Sequence, residues 1–274
     1  MRSGLGLRAT TAWHIARPAP PGPMARVSMA GFRDRCTDPI ELPVVPHPSV
    51  TLVFECGGGT LVVRDATGRR HRGSLVAGLA PSAVRMQGQN IDCVEVRLSP
   101  VDAPAVLGAY LAELDHNVVA LDDIWGREAS RILDQLGETD LWDERFALID
   151  ALLTRRSAAG PMLNPEVAWV WERISLGCGS ARVEDLATEV GWSRRRLWER
   201  FRAQVGLPPK RAAKLVRFHW AARCLTAGDS PARVAAKCGY TDQSHLHRDV
   251  VAFTGVTPAA LAVDSGLAAH CAAE

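Results

Sequence analysis

The sequence predicts an α+β chain in two parts, an N-terminal antiparallel β region, barrel-like and small, completed by helices, and a C-terminal all-helical part. Three observations carry this. Val50, Leu52 and Phe54, and later Val94, Val96 and Leu98, alternate with their neighbours in the period of two that half-buried strands need. After Pro100 the period becomes helical, with Ile124, Ala129, Ile132, Leu133 and Leu136, then Phe146, Ile149, Leu152 and Leu153. Finally, a short helix, a glycine and a second helix occur twice, some 48 residues apart.

The elements follow in order. Residues 1–30 carry Pro18, Pro20, Pro21 and Pro23 and read as a disordered lead-in, with Met24 and Met29 as alternative starts. Residues 31–160 form the first domain. Its strands are punctuated by Gly57-Gly58-Gly59 and by Asp65-Ala66-Thr67-Gly68, and Ser157 to Pro161 is the expected linker. Residues 161–274 form the second domain. Asn164 is placed to cap its first helix, Pro165 tolerates a first turn, and Val167, Val170, Trp171 and Ile174 give one apolar stripe.

The repeated pattern then begins. Val183, Leu186, Ala187 and Val190 make a short amphipathic helix, Gly191 turns the chain, Ser193 caps, and Leu197 and Phe201 anchor the next helix. Val234, Ala235 and Cys238 lead in the same way to Gly239, a cap at Thr241 or Asp242, and anchors at Leu246 and Val250. Each copy is a helix-turn-helix pattern. The stretch between them, Lys210 to Leu225, spans roughly 24 Å as a helix, so the two second helices come about one DNA turn, ~34 Å, apart.

Composition narrows the function. The chain has 274 residues, 47% hydrophobic and 23% charged, which fits two globular domains and excludes collagen, coiled coil and wholesale disorder. No apolar run reaches the ~18 residues of a membrane helix, and the N-terminus lacks the apolar core of a secretory leader. Cys36, Cys56, Cys93, Cys178, Cys224, Cys238 and Cys271 are odd in number and scattered, which fits a reducing cytoplasm. Residues 1–160 hold 17 Arg against 19 acids, whereas Gly191 to Arg217 hold nine basic residues against Glu199 alone. A field of that density attracts a polyanion.

Catalytic constellations are missing. His14, His47, His71 and His116 are isolated, and His245 and His247 point about 200° apart on one helix, so no metal set is expected. Gly57–Gly59 lacks the Lys-Ser/Thr of a phosphate loop. A methyl-accepting repair protein built on the same DNA-binding module is the alternative reading. It needs clustered cysteines, and Cys36, Cys56 and Cys93 are far apart. No enzyme activity and no cofactor are expected.

The segments VEDLATEVGWSRRRLWERFRAQVGLPP and AAKCGYTDQSHLHRDVVAFTGVTPAAL resemble the AraC/XylS family of bacterial transcriptional regulators. The second-motif signature is met at Gly239, Tyr240, Asp242, Gln243, Ser244, His245, Leu246, Arg248, Phe253, Gly255 and Pro258. Val250 departs from it, where an aromatic is usual. The resemblance covers about residues 165–263. Residues 31–160, with GSLVAGL, LSPVDAPAVLG and LDDIWG, are similar to sensor-type domains of some members and name no ligand.

A helical wheel anchored on Leu197 and Phe201 turns Arg195, Trp198, Glu199 and Arg202 away from the core, and one anchored on Leu246 turns out Ser244, His247, Arg248 and Val251. The resemblance implies base reading by Arg195, Trp198, Glu199, Gln243, His247 and Arg248. Phosphate contacts are expected from Ser193, Arg194, Arg196, Arg200, Arg202 and Ser244. The expected partner is double-stranded DNA in its major groove. RNA polymerase, a small-molecule effector and a second copy through residues 31–160 are further candidates, and no membrane is expected.

Overall fold

A computed structural model describes residues 13–19, 27–34, 39–65, 67–79, 84–114 and 118–263. The first half contains two antiparallel sheets. The larger runs in the order β1 (Trp13–Ala16), β2 (Val27–Asp34), β9 (Asp92–Leu98), β4 (Val50–Glu55), β7 (Leu75–Ala77) and β10 (Val118–Ala120). The smaller runs β3 (Ile40–Val44), β8 (Val84–Gln89), β5 (Thr60–Arg64) and β6 (Arg70–Arg72). The expected antiparallel, barrel-like β region takes the form of two stacked sheets.

Alternation in β4 and β9 explains the layering. Val50, Leu52, Phe54, Val94, Val96 and Leu98 share one face of the large sheet and are almost fully buried. That face meets α1 (Ala103–Leu107), a 3-10 turn at Leu111–Leu114, α2 (Leu121–Trp125), α3 (Arg127–Gly137) and α4 (Trp142–Ser157). The other face packs Phe32, Val53 and Cys93 against Leu61, Ile40 and Met86 of the small sheet. The order is small sheet, large sheet, helices.

Trp142 locks α4 to the sheet. The guanidiniums of Arg33 and Arg145 both lie over its ring, at 4.9 and 5.1 Å. A side chain at residue 31 would come within 2.4 Å of that ring, so only glycine fits there. Fully buried Arg145 donates to Leu136 O, Thr139 O and, at 2.8 Å, to Asp92 Oδ1. Such a charge is tolerable only when fully partnered.

Two expectations need correction. Trp13–Ala16 pairs with Gly31–Asp34, and Val27–Ala30 pair with β9, inside the stretch read as a disordered lead-in. The prolines between these strands hid them, since periodicity over four residues is too short to register. Asn164 does sit at a helix N-cap, but its side chain makes no cap bond; its Oδ1 accepts instead from Gln204 Nε2 at 2.5 Å.

The second half is helical: α5 (Pro165–Leu176), α6 (Val183–Glu189), α7 (Arg194–Val205), α8 (Pro209–Thr226), α9 (Pro231–Lys237), α10 (Gln243–Thr254) and α11 (Pro258–Val263). One core runs through them all, centred on Phe201, Leu215, Phe218, Leu225 and Leu246. The halves are packed together. Val45 and Leu79 enter the helical core, the His47 ring meets His219 edge-on at 4.3 Å, and Tyr110 reaches Met162 O at 3.4 Å. No described helix is long and apolar enough to cross a membrane.

Candidate nucleic-acid interface

Both repeated patterns fold as two helices around a left-handed glycine, Gly191 at φ 66° and Gly239 at φ 71°. In the first, α6 leads to α7, and Ser193 Oγ accepts from the Arg196 amide at 3.2 Å. In the second, α9 leads to α10, and the cap is Asp242, accepting from the His245 amide at 2.7 Å. Leu197 and Phe201 on one side, Leu246 and Val250 on the other, are fully buried as expected. Val250 is fully buried in the same core in which Phe218 and Phe253 stack at 4.4 Å. Helix α8, 18 residues, separates the motifs by ~27 Å of helix.

The outward face of α7 is crowded with ordered cations. Arg195, 88% exposed, donates its Nε to Glu199 Oε1 at 2.9 Å. That bond uses Nε and leaves the outer Nη1–Nη2 edge of the guanidinium without a bond to the described residues. Trp198 is 43% exposed, with the Arg202 guanidinium 5.2 Å from its ring centre. Arg196 lies likewise over Trp192, and Arg194 reaches Glu184. Arg200 is exposed. Stacking and ion pairs restrict these long chains before any ligand arrives, which lowers the entropy of ordering them.

Helix α10 is different. Gln243, Ser244, His247 and Arg248 are exposed, and Arg248 Nε bonds the carbonyl of Ser244 at 3.3 Å. Val251, 37% exposed, extends that face with an apolar patch. The one carboxylate on this helix, Asp249, faces inward and pairs with Lys214 Nζ of α8 at 3.0 Å. Lys214 also covers the Phe253 ring, and Arg217 covers that of Tyr240. Burial, and then the charge of Asp249, push the Tyr240 phenol well above its usual range. Asp249 Oδ2, Tyr240 OH and Arg217 Nε have no partner among the described residues. This cluster fixes α10 on α8 and was missed from sequence, where Lys214 and Arg217 counted only toward the basic stretch from Gly191 to Arg217.

Among the described residues, no three metal-binding side chains cluster. Burial pushes the Cys56 thiol up to about 11 and raises Cys93 too, the reverse of an activated thiolate. His71 pairs with Asp65, His47 meets His219, and His14 lies on Trp142, while Cys36 and His116 fall outside the described residues.

Residues 186–262 match a family described as a helix-turn-helix domain, of the AraC type. No curated protein sequence matches the chain. Among solved structures it is similar to ToxT from Vibrio cholerae O395, 12% identical over 88% of this chain and 99% of that one, with a TM-score of 0.47. The C-terminal domain of AraT, a response regulator from Geobacillus stearothermophilus, aligns at 19% identity over 36% of this chain and 85% of its own, with a TM-score of 0.35. The AraC-like transcriptional activator CuxR aligns at 12% over 69% and 80%, with a TM-score of 0.28. Likeness this distant adds no weight; the match over the two motifs is what counts.

Proposed function

We propose that the chain is a DNA-binding transcription regulator that reads two successive major grooves with one polypeptide, a reading supported by the helix-turn-helix match over residues 186–262. The observation that carries the reading is the pair of capped helices, α7 and α10, held by one core at either end of α8. Arg195 reads guanine with its two free Nη groups, and Trp198 and Glu199 line the same groove. Gln243, His247 and Arg248 read the second. Ser193, Arg194, Arg196, Arg200, Arg202 and Ser244 hold phosphates. The test is selection from randomised DNA by the full chain. Two clusters of preferred bases about 10 to 10.5 base pairs apart support the reading, and a single cluster overturns it.

Effector sensing by residues 31–160 belongs to the same proposal. Its support is a buried ion pair on the face of the large sheet that looks toward the small one, Arg97 Nε to Glu95 Oε1 at 2.5 Å. Buried pairs contribute little net stability, so a charged pair in this position is better explained by binding than by folding. Arg97 suits an anionic small molecule that exchanges with Glu95. Melting of the full chain across small carboxylates and their neutral amides tests it. Stabilisation by acids alone, lost in Arg97→Met, is expected; equal shifts with amides refute it.

A further inference from the structure

We propose that the outward face of the small sheet is a docking surface for a second copy of this chain, engaging that copy's helical layer.

The observation is an arginine row. On β5, Arg64 stands directly opposite Arg70 of β6 on one side and Arg85 of β8 on the other. Three arginines therefore stand side by side on adjacent strands, which are spaced ~4.8 Å apart. Arg72 joins them on the same face, opposite Val62. All four are exposed. Glu41 on β3 answers part of this charge, accepting from Arg85 Nη1 at 3.1 Å. Beside the row lies an open concavity of about 400 Å³, walled by Glu41, Thr60, Val62, Arg70 and Gln87.

Like charges placed directly opposite on a sheet destabilise it. Burial cannot offset the cost here, because the side chains lie in solvent. The row is unfavourable for the isolated chain and favourable only against an anionic surface.

The same molecule supplies one. From Leu121 to Ser157 the helical layer has nine carboxylates against five arginines. Arg145, Arg155 and Arg156 are already tied to Asp92 and Glu128. Asp122, Asp123, Asp134, Glu138 and Asp143 remain exposed. Within one chain the two charged faces cannot meet, because the large sheet lies between them. They can meet between copies, helices of one against small sheet of the next. Such a contact uses two different surfaces and leaves one of each free, so it extends. Exposed ion pairs are individually weak, so the contact is weak and salt-sensitive. It gains force when copies stand side by side on DNA, a consequence that rests on the proposed function; the contact itself does not.

The experiment is sedimentation of the full chain without DNA, across a hundredfold range of concentration, at about 0.01 M and about 0.5 M salt. Average mass is expected to climb with concentration at low salt and to stay flat at high salt. The double variant Arg64→Glu with Arg70→Glu, and separately Asp134→Arg with Glu138→Arg, should each abolish the climb. Mixing the two variants in equal amounts should restore it, because each reversed face then finds its complement. Arg64→Ala alone should raise the melting temperature, which keeps the argument testable if a double variant fails to fold. A mass indifferent to salt, an arginine variant that associates like the parent, or a mixture that stays dissociated overturns the proposal. So does an arginine variant that associates normally but loses affinity for every DNA sequence, since the row would then contact phosphates.

Discussion

The two helix-turn-helix motifs share a skeleton and differ in surface. Each has a left-handed glycine, an oxygen cap on the second helix and a fully buried leucine one turn in. Yet α7 presents five arginines and one glutamate, while α10 presents Arg248, two histidines and the exposed Val251, its aspartate being turned inward to Lys214. The comparison separates two jobs that one motif often does together. On the proposed reading, attraction to phosphate falls mainly to the first motif, with Ser244 the second motif's phosphate contact and Arg248 its one charged reader. Shape is set by the core and reading by what the core leaves outside.

The largest expected effect tests the shared skeleton. Leu197→Ala and Leu246→Ala each remove a fully buried side chain and should each cost ~2 to 5 kcal/mol of unfolding free energy. Urea unfolding of both variants is the check. The motifs share one continuous core, so each loss should appear in a single transition. Two separate transitions, with only one moved by each variant, would show that the motifs are independent units.

Next comes the difference in reading. Arg195→Ala should lose ~1 to 3 kcal/mol of discrimination at one base pair and leave melting nearly unchanged, since Arg195 lies in solvent. Selection on randomised DNA reads it out. Retention of the parent preference at every position would remove α7 from the major groove.

These predictions also mark what was legible in advance. Long elements with many periodic residues were readable: both motifs, their anchors Leu197, Phe201, Leu246 and Val250, and the layered β-then-α order. Short elements were not. Strands such as Arg70–Arg72 and Val118–Ala120 have three residues each, too few for any period, and exist because neighbours complete their hydrogen bonding. In the site, the wheel turned Arg195, Trp198 and Glu199 outward correctly, because burial follows spacing. It gave no sign that Arg195 and Glu199 bond one another, or that Asp249 points inward to Lys214. Pairings of that kind depend on rotamers and on distant chain, which spacing does not encode.

A smaller effect concerns phosphate attraction. Arg200→Ala should lower affinity for all sequences about equally and reduce the salt slope by about one unit. The second motif allows the reverse test. Val251→Arg places a charge on the outward face of α10, where it should raise the slope by about one unit. Titrations between about 50 and 200 mM salt measure both. An unchanged slope in Val251→Arg would mean that this end of α10 stands away from the backbone, and the contrast between motifs would then lie in docking and not in charge.

The smallest effect decides what Glu199 does. Its carboxylate can accept from a cytosine amino group, or it can hold Arg195 by Nε so that both Nη groups face guanine. Glu199→Gln keeps size and an acceptor oxygen but removes the charge. The pair is exposed and four residues apart on one helix, so its loss should shift stability by no more than ~0.5 kcal/mol. Binding preferences carry the information. If Glu199 orients Arg195, the variant weakens preference at the same base pair that Arg195→Ala abolishes, about twofold by the same energy scale. If Glu199 reads cytosine directly, a neighbouring base pair relaxes and the one read by Arg195 keeps its strength. We expect the first result, because an arginine committed through Nε is already aimed, and aiming costs the complex less when it is done before the DNA arrives.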